Sequence, residues 1–204
     1  MIWLLLGIQG SDVKNAATAW VTHHNAAIGH LEQGEPQAAL QEARTAVAMA
    51  PDTRQKSALE IWAISASAAG AIEDECNALD RLSTYDKVKW ELYWNGALDA
   101  QANQMWASAY RFAVIAWERS EDKEATAPLA FSTAMQVGQW DMALATIQDF
   151  ENPLAEKDLT LALADAGQCE AAWARQADIA CTPAPPPLPP VVYVEPEQGK
   201  RRRR

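Results

Sequence analysis

Histidine is scarce in this chain of 204 residues, and its spacing does not suit a metal site. The three histidines are His23, His24 and His30. Two zinc ligands on one helix usually stand four residues apart, whereas His23 and His30 are seven apart with no cysteine or acid in step. We therefore expect no metal ligands and no cofactor, and we expect these side chains to play ordinary roles on helix faces.

The patterns that mark common enzyme classes are also absent from the sequence. It has no Walker-type phosphate loop, no Gly-x-Gly-x-x-Gly after a strand and no nucleophile elbow. Acidic clusters do occur at 73–75 and 121–124, near expected helix starts, where acids interact favourably with the helix dipole. We interpret both clusters as capping and solubilising groups. We expect no catalytic residues and a protein that is not an enzyme.

Cysteine is also rare, and the count is odd. A disulfide framework normally needs an even number, and this chain has Cys76, Cys169 and Cys181. If one helix runs from Cys169 to Ala180, its rise of ~1.5 Å per residue separates Cys169 from Cys181 by roughly 18 Å. Two bonded cysteines need Cα atoms within about 7 Å. The sequence therefore predicts three free, buried thiols.

Long apolar runs are missing as well. A membrane-spanning helix needs about 20 apolar residues, and the apolar start, Met1 to Gly7, has seven. We therefore expect no transmembrane span. Residues 1–10 resemble a short export signal without the usual basic start. Two interpretations stay open: a cytoplasmic protein whose apolar start packs on the first helix, which we favour slightly, and export through this signal-like segment.

The charge is mostly of one sign. Residues 1–190 hold 12 Lys and Arg against 25 Asp and Glu, whereas Lys200 to Arg204 are all basic. Because phosphate binding needs a basic face, the acidic body argues against nucleic acid as a partner. The basic end would suit either an anionic partner or the chain's own acidic body.

Glycine and proline are few before residue 182, and alanine, the best helix former, is frequent. From residue 182 onward stand 7 of the 11 prolines. We therefore divide the chain into an apolar N-terminal segment and helix lead-in (1–19), a helical repeat domain (20–181) and a Pro-rich, basic-ended tail (182–204). The tail should be disordered or polyproline II, acting as a spacer or as a ligand.

The helical part contains a repeat of about 35 residues. Its clearest unit, from Ala26 to Pro51, reads as a helix, a tight turn, a second helix and a stop. Gly34 supplies permissive turn backbone, Pro36 suits the first turn of the second helix, and Pro51 ends that helix. The turn position recurs at Gly70, Gln104, Gly138 and Gly167, at intervals of 36, 34, 34 and 29 residues.

Small residues follow the turns and let paired helices approach closely. Ala39, Ala109 and Ala143 stand early in their second helices, and Glu75 occupies this position in the second unit. This pattern resembles the tetratricopeptide repeat, whose period is 34 residues. The resemblance covers about residues 20–181 as five helix pairs, the second and fifth degenerate. It implies an all-α, right-handed solenoid of stacked antiparallel helix pairs, in which each pair covers the apolar face of its neighbour.

Proteins of this family mostly act as scaffolds, and their first helices line a concave groove that accepts a partner. Aligned to that pattern, the groove residues here are His24, Ile28, Leu31, Glu60, Ile64, Trp94, Leu98, Gln101, Ser132 and Met135. Some members clamp a partner's C-terminal carboxylate with Lys, Asn and Arg, but His24 and Ile28 stand at matching places here.

The resemblance therefore implies a non-catalytic protein-protein interaction scaffold that binds a peptide or amphipathic helix in an apolar groove. Two alternatives stay open at this point. The groove could be filled by the chain's own N-terminal or C-terminal segment, or the protein could be a structural subunit that self-associates through its end helices.

Overall fold

The computed structural model describes the backbone of residues 10–184 and the side chains of residues 18–184. Residues 1–9, which hold most of the signal-like segment, and the tail from residue 185 onward lie outside these residues. The predictions for both termini therefore remain predictions. The chain consists of two compact units, Met1–Leu159 and Thr160–Arg204.

Residues 10–184 form an all-α fold without a strand, which confirms the predicted class. Within this part of the chain the helices, two of them followed or preceded by a short 3-10 turn, are α1 (Gly10–Glu32), α2 (Pro36–Met49), α3 (Gln55–Ala68), α4 (Ile72–Leu82), α5 (Trp90–Ala102), α6 (Trp106–Arg119), α7 (Lys123–Val137), α8 (Trp140–Thr146), α9 (Pro153–Asp165) and α10 (Cys169–Arg175). We call the odd-numbered helices first helices and the even-numbered ones second helices. None of these helices is both long and apolar enough to cross a membrane.

All five helix pairs use the same turn, as the repeat predicts. The turn residue has a left-handed backbone in each, with φ of 74° at Gly34, 65° at Gly70, 59° at Gln104, 70° at Gly138 and 71° at Gly167. In each turn the following amide donates to the carbonyl five residues earlier, as from Glu35 to His30 at 2.8 Å and from Met105 to Ala100 at 2.8 Å. The turn residue itself also donates, as from the Gly34 amide to the Leu31 carbonyl at 3.1 Å. The two hydrogen bonds together form a Schellman motif, which satisfies the last carbonyls of the first helix.

Gln104 is the one turn residue of the five that is not glycine, although its backbone has the same left-handed conformation. A residue with a Cβ in the left-handed region is destabilised by roughly 1 kcal/mol relative to glycine. We expect Gln104→Gly to raise the free energy of unfolding by about that amount. Gly70→Gln should lower it by a similar amount, since a Cβ at Gly70 would meet no atom within 4 Å and only the backbone is affected. Urea denaturation of both variants checks this; equal stability of the two would contradict it.

Within residues 1–159, consecutive helices pack on one another from α1 to α8, and successive first helices also touch directly: α1 contacts α3, α3 contacts α5, and α5 contacts α7. The second helices are bridged by long polar side chains. Arg44 of α2 forms a salt bridge with Asp74 of α4, and Arg111 of α6 forms one with Asp80 of α4. Residues 10–159 therefore form a helical-repeat fold in which the first helices α1, α3, α5 and α7 lie side by side.

Alanine makes this close packing work. More than half of the buried apolar side chains among the described residues are alanines. The predicted small positions Ala39, Ala109 and Ala143 are fully buried, and so are Ala27 and Ala46 of the first pair. Larger side chains such as Leu59, Leu79, Tyr93 and Phe112 are fully buried in one core cluster with many of these alanines. A core so rich in alanine leaves little room for larger side chains at these positions.

The C-terminal unit corrects the prediction for the cysteines. Helix α10 ends at Arg175 rather than Ala180, and the chain then turns back. Cys169 and Cys181 form a disulfide with a Cα–Cα distance of 5.6 Å, and only Cys76 is free. The predicted separation was wrong because it assumed an unbroken helix. The returning chain also brings Ala184 against the turn at Gly167, where a Cβ would lie 2.5 Å from the Ala184 nitrogen.

Candidate functional site

One row of exposed apolar side chains runs across the first helices. Ile28 on α1, Ile64 on α3 and Leu98 on α5 each stand six residues before the turn residue of their pair, and each is exposed. We call these three residues the apolar row. Since successive first helices contact each other, equivalent positions on them lie on one surface of the unit. Because contiguous exposed apolar patches mark interaction sites, this repetition at one register makes the surface the candidate binding site.

Beside the apolar row, one helical turn earlier, stand His24, Glu60 and Trp94. Burial lowers the pKa of His24, and the negative charge of nearby Glu60 partly opposes this. The His24 Nδ1 atom is buried without a hydrogen-bond partner. Trp94 is half-buried and meets Trp90 edge to face, with ring centroids 6.4 Å apart. These positions present one polar, one acidic and one aromatic side chain along the same surface.

The other predicted groove residues are less exposed. Leu31, Gln101, Ser132 and Met135 are half-buried, and Leu31 packs against the small core cluster of Ala27, Ala43 and Ile61. Ser132 continues the register of the apolar row on α7, but it donates a hydrogen bond to the Leu129 carbonyl at 3.1 Å. Of the ten predicted residues none is fully buried, and the apolar row is the part that extends furthest into solvent.

A buried acidic cluster was missed by the sequence interpretation. Glu75 was expected to be solvated, but it is only 3% exposed. Asp99 and Ser67 are the polar groups that act on its carboxyl, and Ser67 Oγ donates to Asp99 Oδ2 at 2.7 Å. Burial raises the pKa of Glu75 to about 8, and the negative charge of Asp99 adds to this effect. At neutral pH Glu75 is therefore mostly protonated, and its carboxyl proton can be donated to Asp99.

The position of Glu75 explains its burial. It stands five residues after the turn, at the register of Ala39, Ala109 and Ala143, and its amide donates to the Ala71 carbonyl as theirs do at equivalent places. Gly96 on α5 makes room for this: a Cβ there would lie 2.1 Å from Leu79 Cδ1 and 3.4 Å from Glu75 Oε1. The signal was present in the sequence, as a carboxyl at a position that the repeat reserves for a small buried residue.

The neighbouring acid Asp74 has a different environment. Arg44 donates to its two oxygens at 2.8 and 2.5 Å, and Trp62 Nε1 donates at 3.1 Å. These hydrogen bonds, led by that of Arg44, lower the pKa of Asp74. The guanidinium of Arg81 lies 5.9 Å from the Trp62 ring centre. The charge of Asp74 is thus paired with that of Arg44, and the contacts among Arg44, Trp62 and Asp74 join α2, α3 and α4.

No protein-family model matches the chain, and no curated protein matches its sequence. The functional argument therefore depends on the arrangement of the chain's own residues.

Proposed function

We propose that the protein is a non-catalytic protein-protein interaction scaffold of the tetratricopeptide type, a right-handed solenoid that binds a peptide or amphipathic helix along the apolar row. The observation that carries the proposal is the repetition of Ile28, Ile64 and Leu98 at one register of three first helices, all exposed. Core packing alone would not keep large aliphatic side chains in solvent at one register of three successive repeats.

The contacts between helices support a groove on this side. First helices touch one another directly, while second helices are joined through the long arms of Arg44 and Arg111. A stack whose helices are closer on one side curves toward that side, and solenoids use such surfaces to bind extended partners. An amphipathic helix would lay its apolar stripe on the row in the helix-in-groove mode.

Affinity capture from the native source tests the proposal. We expect Trp94→Ala/Leu98→Ala to lose a partner that the unmodified chain retains, since both side chains lie on one face of α5. Met49→Ala is the matched control, because Met49 on α2 and Leu98 are both 42% exposed. Loss of the partner in both variants, or in neither, would contradict the role of the row.

The second candidate is a structural subunit that self-associates through its end helices. The exposed side chains of Leu161 on α9 and Trp173 on α10 favour it. Sedimentation of the purified chain at a multiple of 22.3 kDa, abolished by Trp173→Ser but unaffected by Leu98→Ser, would support this candidate over the scaffold.

The sequence left open whether the protein is cytoplasmic or exported, and the disulfide favours export. Structural disulfides form and persist in oxidising compartments and are rare in the cytosol. The Cys169–Cys181 bond therefore supports a protein that matures outside the reducing cytosol, in contrast to our slight preference from the sequence. Detection of both thiols in the reduced form in protein taken from its native source would count against export.

A further inference from the structure

The three helices that carry the apolar row also carry carboxylates on the same face. Glu32 stands four residues after Ile28, Glu60 four residues before Ile64, and Glu91 seven residues before Leu98. Spacings of four and seven residues place side chains on one face of a helix. Each member of the row therefore has an acid on its own face, one or two turns away.

Positive charge on these helices is almost absent. Among residues 18–32 of α1 and in all of α3 and α5, Lys56 is the one Lys or Arg, and Lys14 lies in the first turns of α1, fourteen residues before Ile28. Its ammonium donates to the Lys87 carbonyl at 2.7 Å and lies 3.7 Å from Glu60. Arg54 and Lys89 precede α3 and α5 rather than lying on them. The face of the apolar row is therefore aliphatic in the middle, with the carboxylates of Glu32 and Glu91 and the Lys56–Glu60 pair beside it, so its net charge is negative.

We infer that the segment bound on the apolar row is a basic amphipathic helix of a partner protein, with an apolar stripe for the row and Lys or Arg beside the stripe for the carboxylates. The inference rests on the proposed function and names the chemistry of its partner. A second copy of this chain fits poorly, since its body is acidic as well and like charges facing each other oppose association.

The test uses the full chain and two synthetic helical peptides of about 20 residues with the same leucine stripe, one with Lys and one with Glu at the flanking positions. Fluorescence anisotropy should show the Lys peptide binding at least about tenfold more tightly than the Glu peptide, since several rim charge pairs each contribute modestly. Leu98→Ser should lower the affinity for the Lys peptide, and high salt should reduce the difference in affinity between the two peptides.

Two triple variants distinguish attraction by the carboxylates beside the apolar row from attraction by the negative charge of the whole chain. Glu32→Gln/Glu60→Gln/Glu91→Gln should lower the affinity for the Lys peptide about tenfold. Glu73→Gln/Glu118→Gln/Asp141→Asn, which removes the same charge from exposed positions of second helices, should change its affinity less than about twofold. Equal losses in the two variants would overturn the inference, because general attraction would then explain the binding.

The remaining outcomes distinguish this inference from the proposed function. Equal affinity for both peptides, lost in Leu98→Ser, would overturn the charge preference and leave the row as a binding surface. If neither peptide binds but partner capture still depends on Leu98, the inference of a basic amphipathic helix is wrong and the apolar row remains a binding surface. A tenfold gain in affinity on replacing Lys200–Arg204 with serine would assign the face to the chain's own basic end, and would overturn the inference of a partner.

Discussion

Raising the pH from about 6 to 9 is expected to destabilise the protein, and Glu75→Gln is expected to remove most of that loss. Glu75 is buried and its pKa is raised from 4.5 to about 8. A carboxyl whose pKa is higher in the folded state holds its proton more tightly there, so its contribution to stability is complete below pH 4.5 and is lost as pH rises through about 8.

The expected magnitude follows from the size of this window. One pH unit corresponds to about 1.4 kcal/mol for one proton bound more tightly by the folded state. Between pH 6 and 8 the unfolded chain has ionised this carboxyl and the folded chain has not, so the free energy of unfolding should fall by about 3 kcal/mol. Cys76, whose pKa is also raised by burial, contributes mainly above this range, which is why the comparison stops near pH 9.

Glu75→Gln keeps the shape of the side chain and an N–H that can donate to Asp99. Glu73→Gln is the matched control, because Glu73 lies in the same first turn of α4 and is exposed. Urea denaturation at several pH values should give a falling profile for the unmodified chain and for the control, and a much flatter one for Glu75→Gln. A falling profile that survives Glu75→Gln would show that another group titrates.

Loss of the Cys169–Cys181 disulfide is expected to destabilise the C-terminal unit by about 3 kcal/mol, the value for a closed loop of about 15 residues. The bond joins the start of α10 to the returning chain. Trp173 Nε1 donates to the Ile179 carbonyl at 3.1 Å within the same loop, but a single exposed hydrogen bond contributes only ~1 kcal/mol. The loop should therefore open far more often without the disulfide.

Limited proteolysis measures this opening. In Cys169→Ala/Cys181→Ala, tryptic cleavage after Arg175, inside the loop, should be about a hundredfold faster, because cleavage follows the population of the open form. Cleavage after Arg44, in α2, is the internal control. Alkylation of the unreduced, denatured protein should modify Cys76 alone; modification of all three cysteines would show that the disulfide does not form.

The helix pairs could be predicted because local residues determine them. Gly34, Gly70, Gly138 and Gly167 adopt the left-handed backbone that few other residues tolerate. Gln104 was predicted at the same turn by spacing, and the helices on both sides impose the same φ there. The buried alanines followed from the same period. These features depend on neighbours along the chain, so one sequence was sufficient to find them.

The Glu75 cluster and the end of α10 depend on contacts that the sequence does not show. Glu75 looks like part of a solvated acidic run until Gly96 and Asp99 of the next pair are placed beside it. The segment after Arg175 has no glycine or proline to stop a helix before Cys181, so helix propensity predicts the wrong end. The extended backbone of Gln176, with φ −143° and ψ 102°, begins the return to Cys169.

Site-specific photo-crosslinking tests the central claim, that the apolar row binds a partner protein, most directly. A photoreactive residue placed at 28, 64 or 98 and exposed to the native source should join the chain to the same partner from all three positions. The same residue at Met49, which is as exposed as Leu98, should not. Crosslinks of equal yield from position 49, or crosslinks from the row only to a second copy of this chain, would contradict the claim.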